Sequence, residues 1–148
     1  MKRTYPWGVK GRHGSSTVTR GIRVEVQPRF LEGESSPQDR RYVFAYSVTI
    51  VNESDATVQI VARVWNIVDA AGACHDVEGD GVVGRQPVLE PGQVFEYESY
   101  CPLKTSWGTM EGRYRVQVLS GDADETFDAR IGRFYLASPA EPATERVR

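Results

Sequence analysis

An all-β fold, an antiparallel immunoglobulin/fibronectin type III-like β-sandwich of about seven strands, is what the sequence predicts. Three observations carry that expectation. Apolar residues alternate with polar ones over several segments, clusters of Gly, Pro, Asn, Asp and Ser recur about every 8–12 residues, and no segment keeps a helical apolar period. A small barrel built from the same strands is the competing architecture.

Residues 1–20 are rich in Gly, Ser, Thr and basic residues without a sustained period, so they are expected to form a disordered basic arm. Residues 1–24 hold Lys2, Arg3, Lys10, Arg12, Arg20 and Arg23 and no acid, with Tyr5 and Trp7 among them. Ile22, Val24 and Val26 fall on one face of a first strand, and 28–40 is turn-rich with Gly33, Ser35, Ser36 and Pro37. Residues 41–52 are the clearest strand, with Tyr42, Phe44, Tyr46, Val48 and Ile50 on one side and Val43, Ala45, Thr49 and Val51 on the other. Two apolar faces predict a central position. Residues 57–68 form a further strand, and the short turn at 52–55 predicts that the two make a hairpin. Asp69 to Gly72 turns the chain, a glycine-rich loop follows, and Pro91-Gly92 precedes a strand at 93–100. Strands at 112–119 and 127–136 are joined by a polar turn, and 138–148 is a Pro/Ala/Glu tail expected to be disordered. The globular domain is therefore assigned to residues 21–137.

The chain of 148 residues suits one domain with a substantial core, and a net charge of −2 argues against general nucleic-acid binding, except through the basic arm. No apolar run resembles a signal peptide or a membrane span, so a cytoplasmic location without membrane insertion is expected. Cys74 and Cys101 lack C-x-x-C spacing and are expected to be reduced.

The segment Gly79-Asp80-Gly81-Val82-Val83-Gly84-Arg85 has G-x-G-x-x-G spacing, which cradles a pyrophosphate when a helix follows. Pro87 and Pro91 exclude that helix, leaving a glycine-rich turn whose free amides could still hold an anion. Gly79, Gly81, Val82, Val83, Gly84 and Arg85 are accordingly the candidate phosphate ligands. If the preceding run is extended, Asp76, Glu78 and Asp80 align on one face as a candidate Mg²⁺ site, or else as the solvent face of a strand. Their charge would repel a phosphate unless a divalent cation or Arg85 offsets it, so a phosphate ligand is expected to arrive with Mg²⁺. His13 and His75 offer no catalytic constellation, because the neighbours Cys74, His75 and Asp76 point to alternate faces of an extended chain. Trp65 and Trp107 suit a sandwich core; alternatively Ser106 and Trp107 present a loop contact for a protein partner.

Three segments, in order, resemble the ApaG family: Arg41-Tyr42-Val43-Phe44-Ala45-Tyr46 with Val48, Ile50 and Asn52; Gly79-Asp80-Gly81-Val82-Val83-Gly84 with Gln86-Pro87, Leu89 and Pro91-Gly92; and Gly108, Met110, Gly112 and Tyr114. The resemblance covers about residues 20–137. It implies a fibronectin-like sandwich, a bacterial protein associated with cobalt and magnesium resistance, and, from related domains in eukaryotic F-box proteins, a protein-interaction role. The family's suggested pyrophosphate or nucleotide site would fall on Gly79, Gly81 and Gly84. Where many members carry Thr-Pro, this chain has Thr105-Ser106, which frees the 102–108 loop from a fixed φ.

The function expected is that of a non-enzymatic binding module for an unidentified protein partner, with no required cofactor. The alternative is a Mg²⁺-dependent pyrophosphate or nucleotide binder. Unpaired sheet edges leave room for a weak homodimer.

Overall fold

The computed structural model describes residues 13–121 and 124–139. Nine strands make two antiparallel sheets facing each other across one core, and no α-helix occurs among the described residues. Sheet one has the order β1 (Ser15–Thr19), β2 (Ile22–Phe30), β3 (Tyr42–Asn52) and β7 (Val94–Leu103). Sheet two has the order β5 (Cys74–Asp80), β4 (Val58–Asp69), β8 (Trp107–Val118) and β9 (Glu125–Ala137), and β6 (Val88–Leu89) pairs with the start of β4 beyond the end of β5. Two short 3-10 turns, Glu32–Glu34 and Pro37–Asp39, connect β2 to β3.

Period-2 patterning becomes the core directly. Ile22, Val24 and Val26 from β2, Phe44, Tyr46, Val48 and Ile50 from β3, and Met110, Tyr114 and Val116 from β8 are all buried. Trp65 sits at the centre, its ring 5.3 Å from Tyr46 and 5.8 Å from Phe134, both in tilted or edge-on geometry suited to aromatic quadrupoles. The central position expected for 41–52 holds: β3 lies between β2 and β7, and its second face also buries Val43 and Ala45.

The hairpin expected between 41–52 and 57–68 does not form. β3 pairs with β2 and β7, whereas β4 pairs with β5, β6 and β8, so the chain crosses from one sheet to the other. Asn52 sits at the crossing and fixes it. It is the one fully buried polar side chain among the described residues, and its Nδ2 donates to the Ala56 carbonyl at 2.7 Å and the Leu89 carbonyl at 2.9 Å. Its Oδ1 accepts from the Ser54 amide at 3.0 Å and the Ser54 hydroxyl at 2.6 Å. These bonds build a corner that turns one apolar face onto the other.

Part of the segment 1–20, expected as a disordered arm, is ordered. Ser15–Thr19 is a strand running antiparallel to β2, while residues 1–12 lie outside the described part. Its hydroxyls reach the other sheet: Ser15 Oγ donates to the Gly132 carbonyl at 2.8 Å, Thr17 Oγ1 to the Arg130 carbonyl at 2.6 Å, and the Arg130 amide donates to Thr19 Oγ1 at 3.0 Å. The Tyr135 amide adds a bond to the His13 carbonyl at 2.9 Å. This seam joins β1 to β9 along one long side. Along the other, β7 and β5 end their sheets with no strand between them.

Candidate functional site

The glycine run closes the β5 end of sheet two. Gly81, Val83 and Gly84 have φ of +64°, +42° and +81°, the left-handed conformation that glycine tolerates best. The Val82 amide donates to the Arg85 carbonyl at 2.7 Å and the Arg85 amide to the Val82 carbonyl at 2.9 Å, so 82–85 is a tight turn with left-handed backbone at both central residues. Val82 is fully buried and pins the turn to the core. The Val61 carbonyl, at a bulge in β4, accepts from the Gly81 amide at 2.7 Å and from Gln86 Nε2 at 2.9 Å. Of the candidate phosphate ligands, three therefore already spend their amides on the fold.

Gly79 has a separate reason to be glycine. Arg63 extends across it from β4, and its Nη1 donates to the carbonyls of Asp80 at 2.9 Å and Gly81 at 3.0 Å. A Cβ at position 79 would stand 2.8 Å from both terminal guanidinium nitrogens. Asp76, Glu78 and Asp80 do alternate along one face of β5, as expected for an extended run. Asp76 accepts from Asn66 Nδ2 at 2.9 Å, and the strand keeps the three carboxylates spread along its length. Among the described residues no group of three or more His, Cys, Asp or Glu side chains is placed to hold a metal ion.

A larger feature lies on the open side. Between β7 and β5 runs a cleft of about 880 Å³, floored by Tyr46, Trp65, Cys101 and Met110. Ile67 and Val77 line it from sheet two, and Tyr100, Pro102 and Leu103 from sheet one. Val77 faces the cleft opposite Trp65 and is 41 % exposed, while Tyr100, 60 % exposed, pairs with Ala45 and stands at the β7 lip of the cleft with its side chain on the outer face of sheet one. The rim is predominantly basic, with Arg40, Arg41, Lys104 and the shaft of Arg63 against Asp39 and Asp69. Both acids are occupied locally: Asp39 accepts from Ser36 Oγ at 2.8 Å, and Asp69 from the amides of Ala71 at 2.9 Å and Ala73 at 3.0 Å.

Comparison with known proteins bears on this architecture. The family pattern described as the ApaG domain matches residues 32–118, which spans β3, the glycine turn and β8. The chain belongs to the ApaG family. Protein ApaG of Methylorubrum extorquens is 54% identical over 121 residues, covering 82% of this chain and 91% of its own length. Protein ApaG of Brucella abortus is 49% identical over 129 residues, covering 87% and 97%. A solved structure, the ApaA protein of Bordetella pertussis, superposes with a TM-score of 0.76 at 42% identity, covering 80% of this chain and 94% of that one.

The ApaG-like segments quoted from the sequence thus take structural roles: β3 is the central strand of sheet one, the glycine turn caps β5, and Met110 and Tyr114 of β8 are buried between the sheets. Tyr114 hydrogen-bonds through its hydroxyl to that of Tyr97 on β7, tying the two sheets. Burial pushes both phenols above their ordinary range, with the nearby Arg63 acting weakly in the other direction. Burial likewise raises Tyr46, and pushes the Cys101 thiol up to about 11, which keeps it a neutral, unreactive group in the cleft floor. Cys74 and Cys101 are both free.

Ser106 and Trp107 lie outside the cleft. The Ser106 carbonyl accepts from the Ser138 amide at 2.9 Å, and Trp107, at the start of β8, is 49 % exposed. Of the two tryptophans expected in the core, only Trp65 is there. Sequence reasoning missed Arg40, Arg41, Arg63, Tyr100 and Lys104 as site residues. The available hint was Arg63, a charge on the inward-facing register of an otherwise apolar strand.

Proposed function

We propose that this chain is a non-enzymatic binding module that holds a protein partner in the cleft between β5 and β7. The observation that carries the reading is an apolar cleft bordered by two sheet-edge strands, with Val77 exposed on its wall and Tyr100 at its lip. Edge strands offer backbone groups for main-chain pairing, and half-exposed aromatic and aliphatic side chains offer the anchors on which interfaces depend. The chemistry of the lining favours binding over catalysis, since burial holds the Cys101 thiol and the Tyr46 phenol protonated. The family's association with cobalt and magnesium resistance is then an effect exerted through the partner. No helix among the described residues is long and apolar enough to cross a membrane. A Mg²⁺-dependent pyrophosphate or nucleotide site at Gly79, Gly81 and Gly84 is the weaker reading, because the amides of Gly81, Val82 and Arg85 are engaged within the turn.

A photo-crosslinking residue introduced at Val77 tests this reading against one at Val18, which is exposed on β1 at the opposite side. The Val77 probe is expected to capture a discrete polypeptide in cells, and Tyr100→Glu to abolish that product while leaving the circular dichroism spectrum unchanged. Equal capture from Val18, or an undiminished product in Tyr100→Glu, would refute it.

A further inference from the structure

The geometry points to a more specific occupant: an extended, acidic polypeptide segment that adds to β7 as a further strand of sheet one and sets its carboxylates against Arg40, Arg41 and Lys104. This rests on the cleft being the protein-binding surface. Two independent features select that occupant. The first is the ladder. β7 is ten residues long and pairs on one side only, with β3, leaving the outer main-chain groups of the edge available to an added strand; Pro102, which lacks an N–H, marks the end of the usable ladder. A strand laid along that edge would direct alternate side chains towards Tyr46, Trp65 and Met110 in the cleft floor.

The second feature is charge. Arg20, Arg23, Arg29, Arg113, Arg115 and Arg133 each form an ion pair with an Asp or Glu of this chain, at 2.6 to 3.5 Å. Six described cations have no such partner among the described residues, and four of them, Arg40, Arg41, Arg63 and Lys104, border this cleft while Arg85 and Arg130 stand apart, although the chain as a whole carries a net charge of −2. Arg40, Arg41 and Lys104 stand together where β7 ends and β3 begins, because Tyr42 is paired with Leu103. Arg40 is held there in a left-handed conformation, φ +57°, by the turn that precedes β3. Unpaired cations gathered at one end of an unpaired ladder complement an extended segment with carboxylates at the matching end.

The test uses the full chain and two fluorescein-labelled peptides of alternating valine and threonine, one ending in glutamates and the other in lysines at the same end. Fluorescence anisotropy measures affinity, and amide chemical shifts locate the contact. The glutamate peptide is expected to bind saturably, to shift the amides of Val94–Cys101, and to bind about tenfold or more tightly than the lysine peptide. Arg40→Glu combined with Arg41→Glu, both exposed positions, is expected to reverse the preference. Equal affinity for the two peptides overturns the charge selection and leaves the cleft reading standing. Shifts confined to another face overturn strand addition. Crosslinking at Val77 without binding of either peptide overturns this inference alone. A concentration-dependent dimer of the chain that blocks the peptide overturns it in favour of a second copy.

Discussion

Replacing each glycine of the 79–84 run by alanine separates a structural turn from a ligand cradle, because the three sites differ in what a Cβ would meet. At Gly84, φ is +81° and no atom lies within 4 Å, so the cost is that of a left-handed L-residue alone, about 1 kcal/mol. At Gly79 the Cβ would stand 2.8 Å from the Arg63 guanidinium, the far end of a flexible side chain that can swing away. It then forfeits its bonds to Asp80 and Gly81, worth roughly 1–2 kcal/mol in total at a partly exposed site, offset by about 0.5 kcal/mol from restricting the unfolded chain. At Gly81 the Cβ would fall 2.1 Å from the Arg85 carbonyl oxygen with φ at +64°, and no side-chain rotation relieves a clash with backbone. The 82–85 turn must open, costing about 3–4 kcal/mol from the lost turn bonds, the disturbed Val82 and the strain together. Urea unfolding at constant slope reports the order: Gly81→Ala well below the other two, which lie close together. Combining Gly79→Ala with Arg63→Met should remove the Gly79 penalty, since the obstructing group is gone. The reasoning fails if Gly81→Ala stays within about 1 kcal/mol of the parent, or if Arg63→Met leaves the Gly79→Ala cost unchanged.

Three further outcomes are expected. Val83 is β-branched with φ +42° and is followed by Gly84 at +81°, so Val83→Asn creates the Asn-Gly pair such turns favour and should raise the thermal midpoint by about 2–4 °C in calorimetry. Asn52→Ala removes four side-chain hydrogen bonds at the buried corner, to Ala56, to Leu89 and two from Ser54, and should cost about 3 kcal/mol in urea unfolding, far more than alanine at an exposed polar residue such as Gln38. Tyr97 and Tyr114 stay protonated in the fold where the unfolded chain releases their protons near pH 10, so stability is complete below about pH 10 and falls as pH rises beyond it. Tyr97→Phe combined with Tyr114→Phe should flatten that alkaline decline when it is followed by circular dichroism.

The strands that carry the core were legible because burial writes itself into period-2 alternation: Ile22, Val24 and Val26, or Phe44, Tyr46 and Val48, can be read without a structure. Edge strands write no such pattern. β5, Cys-His-Asp-Val-Glu-Gly-Asp, has no buried residue, and β1 is held by hydroxyl bonds to a strand more than a hundred residues away, for which nothing local speaks. The turn at 52–55 looked like a hairpin because its composition suits one; the buried amide of Asn52 reaches Leu89, a long-range bond that composition cannot encode. The glycine spacing was correctly stripped of its helix, but the separate causes at positions 79 and 81 depend on Arg63 and on the Arg85 carbonyl, neither of which sequence proximity singles out. The cleft was invisible for the same reason. It exists between strands from different sheets, and the sequence marks Tyr46 and Trp65 of its floor only as core residues.

The hydroxyl seam between β1 and β9 gives the sandwich a spine. A body stitched along one side, and tied on the other only through the Tyr97–Tyr114 bond and the core, opens as a book does, with the displacement concentrated at β5 and at the stretch of β7 beyond Tyr97. Ligands of different thickness can then be gripped by a small change in hinge angle, without repacking the pages near the spine. A guest that touched both margins would act as a clasp, slowing hydrogen exchange across the whole domain and coupling occupancy to rigidity far from the point of contact.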